Sequence, residues 1–548
     1  MGAAPPGRRH RRPSSPVAVV VAVAVVTLLA AACGGGGGGD DGNAGGPASS
    51  VDSRTTEPPT TEPSAEPQPG GELVVATIFD LFGLEPATFV GSITDGLMAL
   101  ALYDPLMTFD PATGEPVPWL AESMESDDGR TWTITLRPAV QFQDGTPLDA
   151  AAVKVNLERH ADPELRSRSI TSAQHIEAIE TPDPLTVVVR LRDVWPAFPE
   201  VLAGSLGLMA SPAAIAAGTV GEQPVGTGPF RLVEWIPGDH LTVERNPGYW
   251  RPGEPYLDRI VFRPIPDTVT RFESVKRGEV HLGQTTSGAE LVRATEAGLQ
   301  DLGIRRGQAI TLFMNTAKPP FDDVRVRRAL HLATDTDTIN RVIFDDSAPP
   351  AFDGIVDRDS PYADHDAPWL TFDADAAATL VDEVVAEKGP DAVTFTYQCH
   401  TQPDLVNMAA VLEQMWEDAG FSVEVETQDQ ISVVVDVMGG SYQASCFGTG
   451  AAHDPDLNFF TQLHSGSNSN WTAYSDPEVD EALVTGRTST DEQTRREAYS
   501  LVQEHLAADV PLFVLNATPW GYMGRPEVHG VGMMQNAIFQ PSVVWLER

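Results

Sequence analysis

The sequence predicts a mixed α/β fold, and three observations support this class. A strand at Ala392 to Tyr397, a helix at Leu405 to Trp416 and a strand at Phe421 to Val425 follow one another at the spacing of a βαβ unit. Such a unit implies a parallel strand pair with a right-handed crossover. The residues Thr131 to Leu136 alternate between apolar and polar as a half-buried strand does, and Asp149 opens an apolar-periodic helix. This mixture favours layers of helices and strands over a fold of one type.

The composition is that of a large and strongly acidic protein. The 548 residues are 42% hydrophobic, so the chain can bury large cores and is longer than one ordinary domain requires. Its 77 acidic and 36 basic residues give a net charge of −41. Because this charge repels nucleic acid and anionic lipid, we expect no nucleic-acid partner. A solvated acidic surface explains the charge without any calcium-binding role.

The N-terminal segment has the pattern of an export signal. Four arginines between Arg8 and Arg12 precede an apolar run from Val17 to Ala32 that only Thr27 interrupts. A charged region before an apolar run of this length predicts a signal peptide, at residues 1–32, rather than a membrane span. The run ends at Ala31-Ala32-Cys33, which is similar to a bacterial lipobox, in which the cysteine is acylated and becomes the first mature residue.

Cys33 is therefore predicted to anchor the protein by lipid to the outer face of the cell membrane. Ala30 stands where the lipobox usually has Leu, and an ordinary small residue in an uncleaved helix is the alternative. Acyl chains contribute about 0.8 kcal/mol per buried CH₂, so two or three of them hold a protein firmly at a membrane. Residues 33–70 are rich in Gly, Ser, Thr, Pro and Glu, which predicts a disordered linker.

The first part of the body favours strands. Leu73 to Thr77 and Leu185 to Leu191 are predicted as short strands, and Leu97 to Tyr103 has helical character. The stretch from Pro224 to Phe262 has the pattern of three strands joined by turns. Its Gly226-Thr227-Gly228 is followed by a proline and a strand instead of a helix N-terminus. These glycines therefore do not predict a phosphate site.

A second body follows in the chain. Ile310 to Met314 is predicted to be a strand, Asp323 to cap the next helix, and Asp373 to Val385 to form another helix. The βαβ unit comes after them. Ligand sites in sheets of this kind lie beyond the carboxyl ends of the strands. We therefore expect binding residues after Tyr397 and after Phe447.

Four separated segments resemble one family of binding proteins. They are Pro118 to Val153, Pro224 to Phe262, Met314 to Asp335 and Asn470 to Leu483, in the family's order. Through them the chain is similar to the family 5 extracytoplasmic solute-binding proteins, the dipeptide-, oligopeptide- and nickel-binding subunits of ABC importers. The resemblance implies a two-lobed, hinged periplasmic-binding-protein-like fold of class II type. The expected parts are lobe I at 71–113, 195–306 and 513–548, its small subdomain at 114–194, and lobe II at 307–512.

The resemblance also implies a function. A lipid-anchored subunit would capture a peptide-like or other small solute between its lobes and deliver it to an ABC permease and ATPase complex, as a monomer and without a cofactor. A solute or peptide sensor of the same fold, without transport, is one alternative. A surface-anchored hydrolase is another. The sequence has no GxSxG elbow and no cysteine in a catalytic context, so we expect no enzyme activity.

The solute-binding candidates come from the predicted strand ends and from the resemblance. His453-Asp454-Pro455 resembles the family's ligand-facing Asp-Pro segment, where an aspartate three residues before that pair holds the α-amino group of a peptide. Ala451 stands at that position. Because a buried ammonium without an anionic partner is costly, the sequence predicts a blocked or modified peptide, a sugar or another neutral solute. A structural role is the alternative for Trp471. The candidates are Phe79, His400, Thr449, Gly450, Ala451, His453, Asp454 and Trp471.

Cysteines and histidines are the remaining candidates, for a disulfide bond and for metal binding. Cys399 and Cys446 lie at the ends of predicted lobe II strands. In an extracytoplasmic protein such a pair predicts a disulfide bond, and two buried free thiols are the alternative. His400, His453 and His464 lack the i, i+4 spacing of helical metal ligands, and the chain has no CxxC or HExxH pattern. We therefore expect no metal site.

Overall fold

The computed structural model describes residues 66–81, 83–89, 93–304, 308–348, 351–450, 454–534 and 537–548. The predicted signal peptide at 1–32, Cys33 and the linker up to residue 65 lie outside these described residues, as do Ala451 and His453. Gly70, the last residue of the predicted linker, is buried, and its N–H donates to the carbonyl oxygen of Tyr256 at 2.6 Å. The folded body therefore already includes Gly70.

Strands form three main sheets and several two-stranded ribbons. In chain order the strands are β1 (Glu72–Thr77), β2 (Met107–Phe109), β3 (Pro116–Pro118), β4 (Ala121–Glu125), β5 (Thr131–Leu136), β6 (Ile176–Asp183), β7 (Thr186–Leu191), β8 (Phe230–Ile236), β9 (His240–Arg245), β10 (Arg259–Pro264), β11 (Leu282–Thr285), β12 (Gln300–Ile304), β13 (Gln308–Met314), β14 (Phe352–Asp353), β15 (Val356–Asp357), β16 (Thr394–His400), β17 (Ser422–Gln428), β18 (Ala444–Gly450), β19 (Leu512–Ala517), β20 (Trp520–Gly524), β21 (Val528–His529) and β22 (Trp545–Leu546).

Helices pack on the faces of these sheets. Within the described ranges, none of them combines the length and the apolar character that a membrane crossing requires. The helices are α1 (Ile93–Leu102), α2 (Ala150–Arg159), α3 (Ile170–Gln174), α4 (Phe198–Val201), α5 (Pro212–Ala217), α6 (Thr268–Lys276), α7 (Gly288–Glu296), α8 (Val324–Leu332), α9 (Thr336–Ile343), α10 (Ala374–Lys388), α11 (Pro403–Asp418), α12 (Gln430–Met438), α13 (Asp456–Leu463), α14 (Pro477–Thr488) and α15 (Glu492–Asp509).

Lobe I is built on a seven-stranded sheet with the order β12-β20-β11-β1-β10-β9-β8. β1 is parallel to β10 and β11, and the other neighbours are antiparallel. Apolar side chains of β1, β8 and β10 form one core with α1, among them Val75, Phe230 and Phe262, all fully buried. The predicted strand at the start of the body and the three strands between Pro224 and Phe262 are therefore confirmed.

The small subdomain is an antiparallel four-stranded sheet with the order β4-β5-β7-β6. The predicted alternating strand from Thr131 to Leu136 is β5, in which Trp132, Ile134 and Leu136 are buried. α2 contributes Val153 and Leu157 to the same core. Asp149 caps this helix as predicted, because its carboxylate accepts a hydrogen bond from the backbone N–H of Ala152 at 2.9 Å.

Lobe II is built on a five-stranded sheet with the order β17-β16-β18-β13-β19. β16 and β17 are parallel neighbours joined by α11, so the predicted βαβ unit is confirmed. Trp416 on α11 is fully buried, and its ring lies 5.6 Å from Phe395 and 5.3 Å from Tyr397 on β16. Packing of this aromatic group fixes α11 against the sheet.

The chain passes between the two lobes at two neighbouring places. β12 pairs with β20 in the sheet of lobe I, where Ile304 faces Trp520. β13 pairs with β19 in the sheet of lobe II, where Ala309 faces Ala517. The chain therefore returns to lobe I after Ala517. This corrects the predicted boundary at 512, because β19 belongs to the lobe II sheet.

Asp104 joins lobe I to the subdomain. It is fully buried, and its carboxylate accepts hydrogen bonds from Trp119 Nε1 at 2.7 Å, Trp250 Nε1 at 2.9 Å and the Tyr249 hydroxyl at 3.2 Å. Burial raises the pKa of Asp104 to about 6, although these three donors oppose the rise. One carboxylate thus orients three aromatic side chains from two parts of the chain.

The glycines at Gly226 and Gly228 allow a close backbone contact. A Cβ atom at Gly226 would lie 2.2 Å from the carbonyl oxygen of Leu102, and one at Gly228 would lie 2.4 Å from the Leu102 carbonyl carbon. The N–H of Gly228 donates to the same carbonyl oxygen at 3.2 Å. Their role is therefore to let β8 begin against the end of α1.

Candidate functional site

The carboxyl ends of β16 and β18 lie side by side in lobe II. These parallel strands pair through Tyr397 with Ala444 and Gln398 with Ser445, so both chains leave the sheet at the same edge. His400 is the last residue of β16. This arrangement is the one that the βαβ pattern predicts for a ligand site.

Aromatic rings connect two of the predicted candidates at this edge. The rings of His400 and Phe447 are 5.6 Å apart in an edge-to-face arrangement, and those of Phe447 and Trp471 are 5.7 Å apart. Phe313 on β13 lies 6.1 Å from Phe447 and 6.0 Å from Trp471. The structure thus brings His400 and Trp471 together through Phe447. We call these four side chains the lobe II aromatic cluster.

His400 supplies the polar group of this cluster. Burial lowers the pKa of its imidazole, so the ring is neutral at pH 7. Its Nε2 atom is buried and has no hydrogen-bond partner among the described residues. A buried, unpaired ring nitrogen can give or take one hydrogen bond, and a solute could supply its partner.

The end of β18 contributes Thr449 and Gly450. The hydroxyl groups of Thr449 and Thr311 are 2.7 Å apart, which ties this end of β18 to β13. Gly450 pairs with Gln308 at the end of the same ladder. The backbone leading to residues 451–453 therefore starts from a fixed position.

Phe79 lies in the other lobe. It follows the carboxyl end of β1, its side chain is 55% exposed, and its carbonyl oxygen accepts a hydrogen bond from the Thr77 hydroxyl at 2.8 Å. A large exposed apolar side chain at a strand end can cover a ligand. Phe79 belongs to lobe I, because it directly follows β1, whereas the aromatic cluster belongs to lobe II.

The structure gives Asp454 a role different from the predicted one. Its carboxylate is buried and accepts hydrogen bonds from Nη2 of Arg495 at 2.7 Å and 2.6 Å. Burial lowers the pKa of Arg495, but the charge and hydrogen bonds of Asp454 raise it above its ordinary value. Arg495 neutralises the charge of Asp454 inside lobe II. The two side chains form a structural ion pair, so Asp454 is not a free anion for a solute.

Sequence reasoning missed a second buried carboxylate close by. Asp456 at the start of α13 accepts hydrogen bonds from Trp195 Nε1 and from Arg487 Nε, both at 2.7 Å. Burial raises the pKa of Asp456, while Arg487 and Trp195 oppose the rise. The Asp-Pro-Asp sequence signalled a functional segment. Nothing in the sequence pointed to Trp195 as its partner, because the two residues are far apart in the chain.

The predicted disulfide bond is not present, since Cys399 and Cys446 are both free, buried thiols. They lie two residues beyond the Tyr397–Ala444 pair, on neighbouring parallel strands. Neighbouring side chains of parallel strands point in the same direction, whereas a disulfide needs converging Cβ atoms. Burial raises the pKa of Cys399 to about 11 and that of Cys446 to about 12, which also suppresses the reactive thiolate.

Metal ligation has no visible basis in the described part of the chain. There, no group of three or more His, Cys, Asp or Glu side chains is placed to hold a metal ion. His400 packs edge-to-face against Phe447, and His464 stacks on Phe460 with a ring separation of 4.5 Å. The expectation that the protein has no metal site therefore stays a prediction.

A cavity of about 690 Å³ lies within lobe II. It is bordered by the α8–α9 turn, the segment from 348 to 372 and the strand β19. None of the predicted binding residues lines it, and all of its walls come from one lobe. It is therefore separate from a site formed by two lobes.

Comparisons with known proteins support the fold and show the family. A family model described as bacterial extracellular solute-binding proteins, family 5 Middle, matches residues 115–471. The glutathione-binding protein GsiB of Pectobacterium atrosepticum is 30% identical over 459 residues, which cover 81% of this chain and 88% of the relative.

Two solved structures show the same fold. The ABC transporter substrate-binding protein CtaP of Listeria monocytogenes has a TM-score of 0.78 at 20% identity, with 88% of this chain and 100% of that chain covered. The periplasmic binding protein DppA of Helicobacter pylori, in complex with the peptide STSA, has a TM-score of 0.74 at 22% identity, with 88% and 99% covered. The predicted two-lobed α/β fold is thus confirmed. The chain belongs to the family 5 bacterial extracellular solute-binding proteins, and it is a binding protein rather than an enzyme.

Proposed function

We propose that this protein is the lipid-anchored, extracytoplasmic substrate-binding subunit of an ABC importer, and that it captures a small peptide-like solute between its lobes. The observation that carries the proposal is the pair of neighbouring chain crossings, β12 to β13 and β19 to β20. Two crossings side by side allow the lobes to rotate about one hinge. A solute that contacts both lobes then favours the closed form through its extra contacts there.

The surfaces for the solute come from both lobes. In lobe II, the aromatic cluster offers apolar faces and the unpaired Nε2 of His400. The end of β18 offers backbone groups close to Thr449. In lobe I, Phe79 supplies an exposed ring. Aromatic walls with a few polar groups are typical of sites for small organic solutes.

The class of solute follows from the residue at position 451. The relatives named glutathione-binding protein support a peptide-like molecule. Ala451 offers no carboxylate to an α-amino group, and Asp454, the nearest described carboxylate after it, is occupied by Arg495. We infer that the protein binds a small peptide or modified peptide without requiring a free α-amino group at the usual position.

This inference predicts how tripeptides should bind. Isothermal titration of the full chain carrying Cys33→Ser would use reduced glutathione, trialanine and N-acetyl-trialanine as probes. We expect the acetylated peptide to bind at least as tightly as the free one, because no anion rewards the ammonium group. If none of the three probes bound, the peptide-like solute class would be wrong.

The Ala451→Asp variant provides the matched test. A carboxylate at this position should strengthen binding of free trialanine over the acetylated form by about tenfold or more, since a hydrogen bond to a charged group contributes about 1.5–3 kcal/mol. The Ala451→Asn variant has nearly the same size without the charge and should not change the ratio. Equal ratios in both variants would remove residue 451 from the site.

The lipid anchor is a separate part of the proposal. If Cys33 is acylated, the protein expressed in a bacterial host should sediment with the membrane fraction, and Cys33→Ser should release it, because two or three acyl chains are needed for firm anchoring. Mass spectrometry of the mature N-terminus would report the added acyl mass. A mature N-terminus that carries no acyl mass at Cys33 would contradict the anchor at this residue.

A further inference from the structure

One contact in the structure connects the subdomain of lobe I directly to lobe II. Trp195, one residue beyond the predicted end of the subdomain at 194, packs in the core of the subdomain together with Trp132 and Phe198. From there its Nε1 donates to Oδ2 of Asp456, at the start of α13 in lobe II, at 2.7 Å. The side chain of Asp456 is fully buried, so this hydrogen bond to a carboxylate is shielded from water.

Two further contacts accompany this bond. The backbone N–H of Asp454 donates to Oε2 of Glu200 at 3.0 Å, and Glu200 is itself buried on α4. Leu457, the residue after Asp456, packs against the apolar core of the subdomain. Polar and apolar groups of one short segment of lobe II are thus matched by groups of the subdomain. We call this contact between Trp195, Glu200 and residues 454–457 the subdomain latch.

Two arginines of lobe II fix the lobe II residues of the latch in position. Asp456 also accepts a hydrogen bond from Nε of Arg487 on α14, whose guanidinium carbon lies 3.4 Å from the centre of the Phe460 ring. Asp454 is paired with Arg495 on α15. Both carboxylates therefore keep an arginine partner if the lobes separate. Opening would cost the hydrogen bonds to Trp195 and Glu200, the contact of Leu457 and the contact of Arg487 with the Trp195 ring at 5.6 Å, but Asp454 and Asp456 would stay paired.

Residues 454–457 directly follow the predicted solute-facing segment, so the latch lies next to it in the chain. Asp454 directly follows residues 451–453, the predicted solute-facing segment, and β18 leads into it from the aromatic cluster. The chain crossings at Ile304 and Ala517 permit the lobes to move relative to each other. Trp195 and Asp456 belong to different lobes, so their bond must break when the subdomain moves away from α13.

We propose that the subdomain latch holds the two lobes together in the solute-free protein and thereby sets how much of the protein is already closed when the solute arrives. Trp195 and Asp456 act as positioning residues and do not contact the solute. The inference builds on the proposed solute-binding function, since closure matters for capture. A solute gains affinity when the closed form is already populated, because it spends less of its binding energy on closing the lobes.

The test measures the distance between the lobes without any solute. The full chain with Cys33→Ser would be spin-labelled at Glu122→Cys on β4 and Glu481→Cys on α14, both exposed positions, since Cys399 and Cys446 are buried. Double electron–electron resonance then reports the distance distribution. We expect Trp195→Phe, which removes one N–H and keeps an aromatic ring, to raise the ratio of open to closed molecules by roughly tenfold.

Trp132→Phe is the matched control. Trp132 lies in the same core, but its Nε1 donates to the carbonyl oxygen of Gly129 at 3.2 Å, within the subdomain. Its loss should leave the distance distribution unchanged. Leu457→Ser serves as a second variant if Trp195→Phe does not fold, and it should also shift the distribution towards longer distances.

A distribution that is the same in the parent, in Trp195→Phe and in Leu457→Ser would overturn the latch. That result would leave the proposed function standing, because no solute is used. Failure of the peptide probes to bind, in contrast, would contradict the proposed solute class and leave a latch-dependent distance shift intact. Equal shifts in Trp195→Phe and Trp132→Phe would also contradict the latch, since they would reflect general loosening of the subdomain core.

Discussion

Replacing Arg495 with Gln is expected to lower the free energy of unfolding by about 3–5 kcal/mol, because it leaves the buried carboxylate of Asp454 without its partner. Arg495 is itself buried and donates from Nη2 to both oxygens of that carboxylate. It also donates from Nε to the carbonyl oxygen of Gly486 and from Nη1 to the Tyr362 hydroxyl, each at 2.7 Å. One side chain thus connects α14, α15 and the segment before α10.

The next residue on the same helix gives the control for this prediction. Arg496 is exposed and pairs with Glu492 one turn earlier. Surface pairs of this kind contribute at most about 1 kcal/mol, so Arg496→Gln should leave stability almost unchanged. Urea unfolding followed by tryptophan fluorescence and circular dichroism would compare the two variants. Equal losses for Arg495→Gln and Arg496→Gln would show that the Asp454 pair does not stabilise lobe II.

Asp104 should make the protein less stable as the pH rises from 4.5 to 7.5. Its pKa in the folded state is about 6, above the ordinary value of 3.8. The carboxyl group of Asp104 therefore loses its proton at lower pH in the unfolded chain than in the folded one. A rise in pH within this window shifts the equilibrium towards the unfolded state. For a shift of this size, the contribution of Asp104 falls by about 2 kcal/mol across the window.

The Asp104→Asn variant isolates this contribution from the other carboxylates. Its amide oxygen can still accept from Trp119 and Tyr249, but its amide nitrogen would face the Nε1 donor of Trp250. The variant should be less stable than the parent at pH 4.5, and the difference should shrink by about 2 kcal/mol at pH 7.5 because Asn does not titrate. A difference that is constant with pH would mean that the pKa of Asp104 is not raised.

Local sequence patterns predicted much of the fold correctly. The alternation at Thr131 to Leu136, the cap at Asp149 and the βαβ unit ending in β17 all depend on residues close together in the chain. The predicted boundary of lobe II at 512 rests on the family resemblance, and it falls at the first residue of β19. Only its pairing with β13 shows which sheet it joins.

The candidate site is harder to predict from the sequence, because its residues come from elements that are far apart in the chain. Strand order allowed His400 and the residues after Phe447 to be placed at one edge, and the structure brings His400 and Trp471 to Phe447. The partners of Asp454 and Asp456 could not be read from the sequence, because Arg495, Arg487 and Trp195 come from distant elements. No local sequence pattern shows which of the 77 acidic residues are buried, and this holds for Asp454 and Asp456.

The order of strands in lobe I also has a consequence for the order in which the two lobes fold. β20 lies between β12 and β11, although it follows both in the chain by more than two hundred residues. The strands of lobe II, from β13 to β19, form one uninterrupted stretch of sequence that can pair without the C-terminal residues. The sheet of lobe I stays divided until β20 enters it and fills the gap. Lobe I therefore finishes folding last, and loss of the final residues would damage the lobe that contains the start of the body.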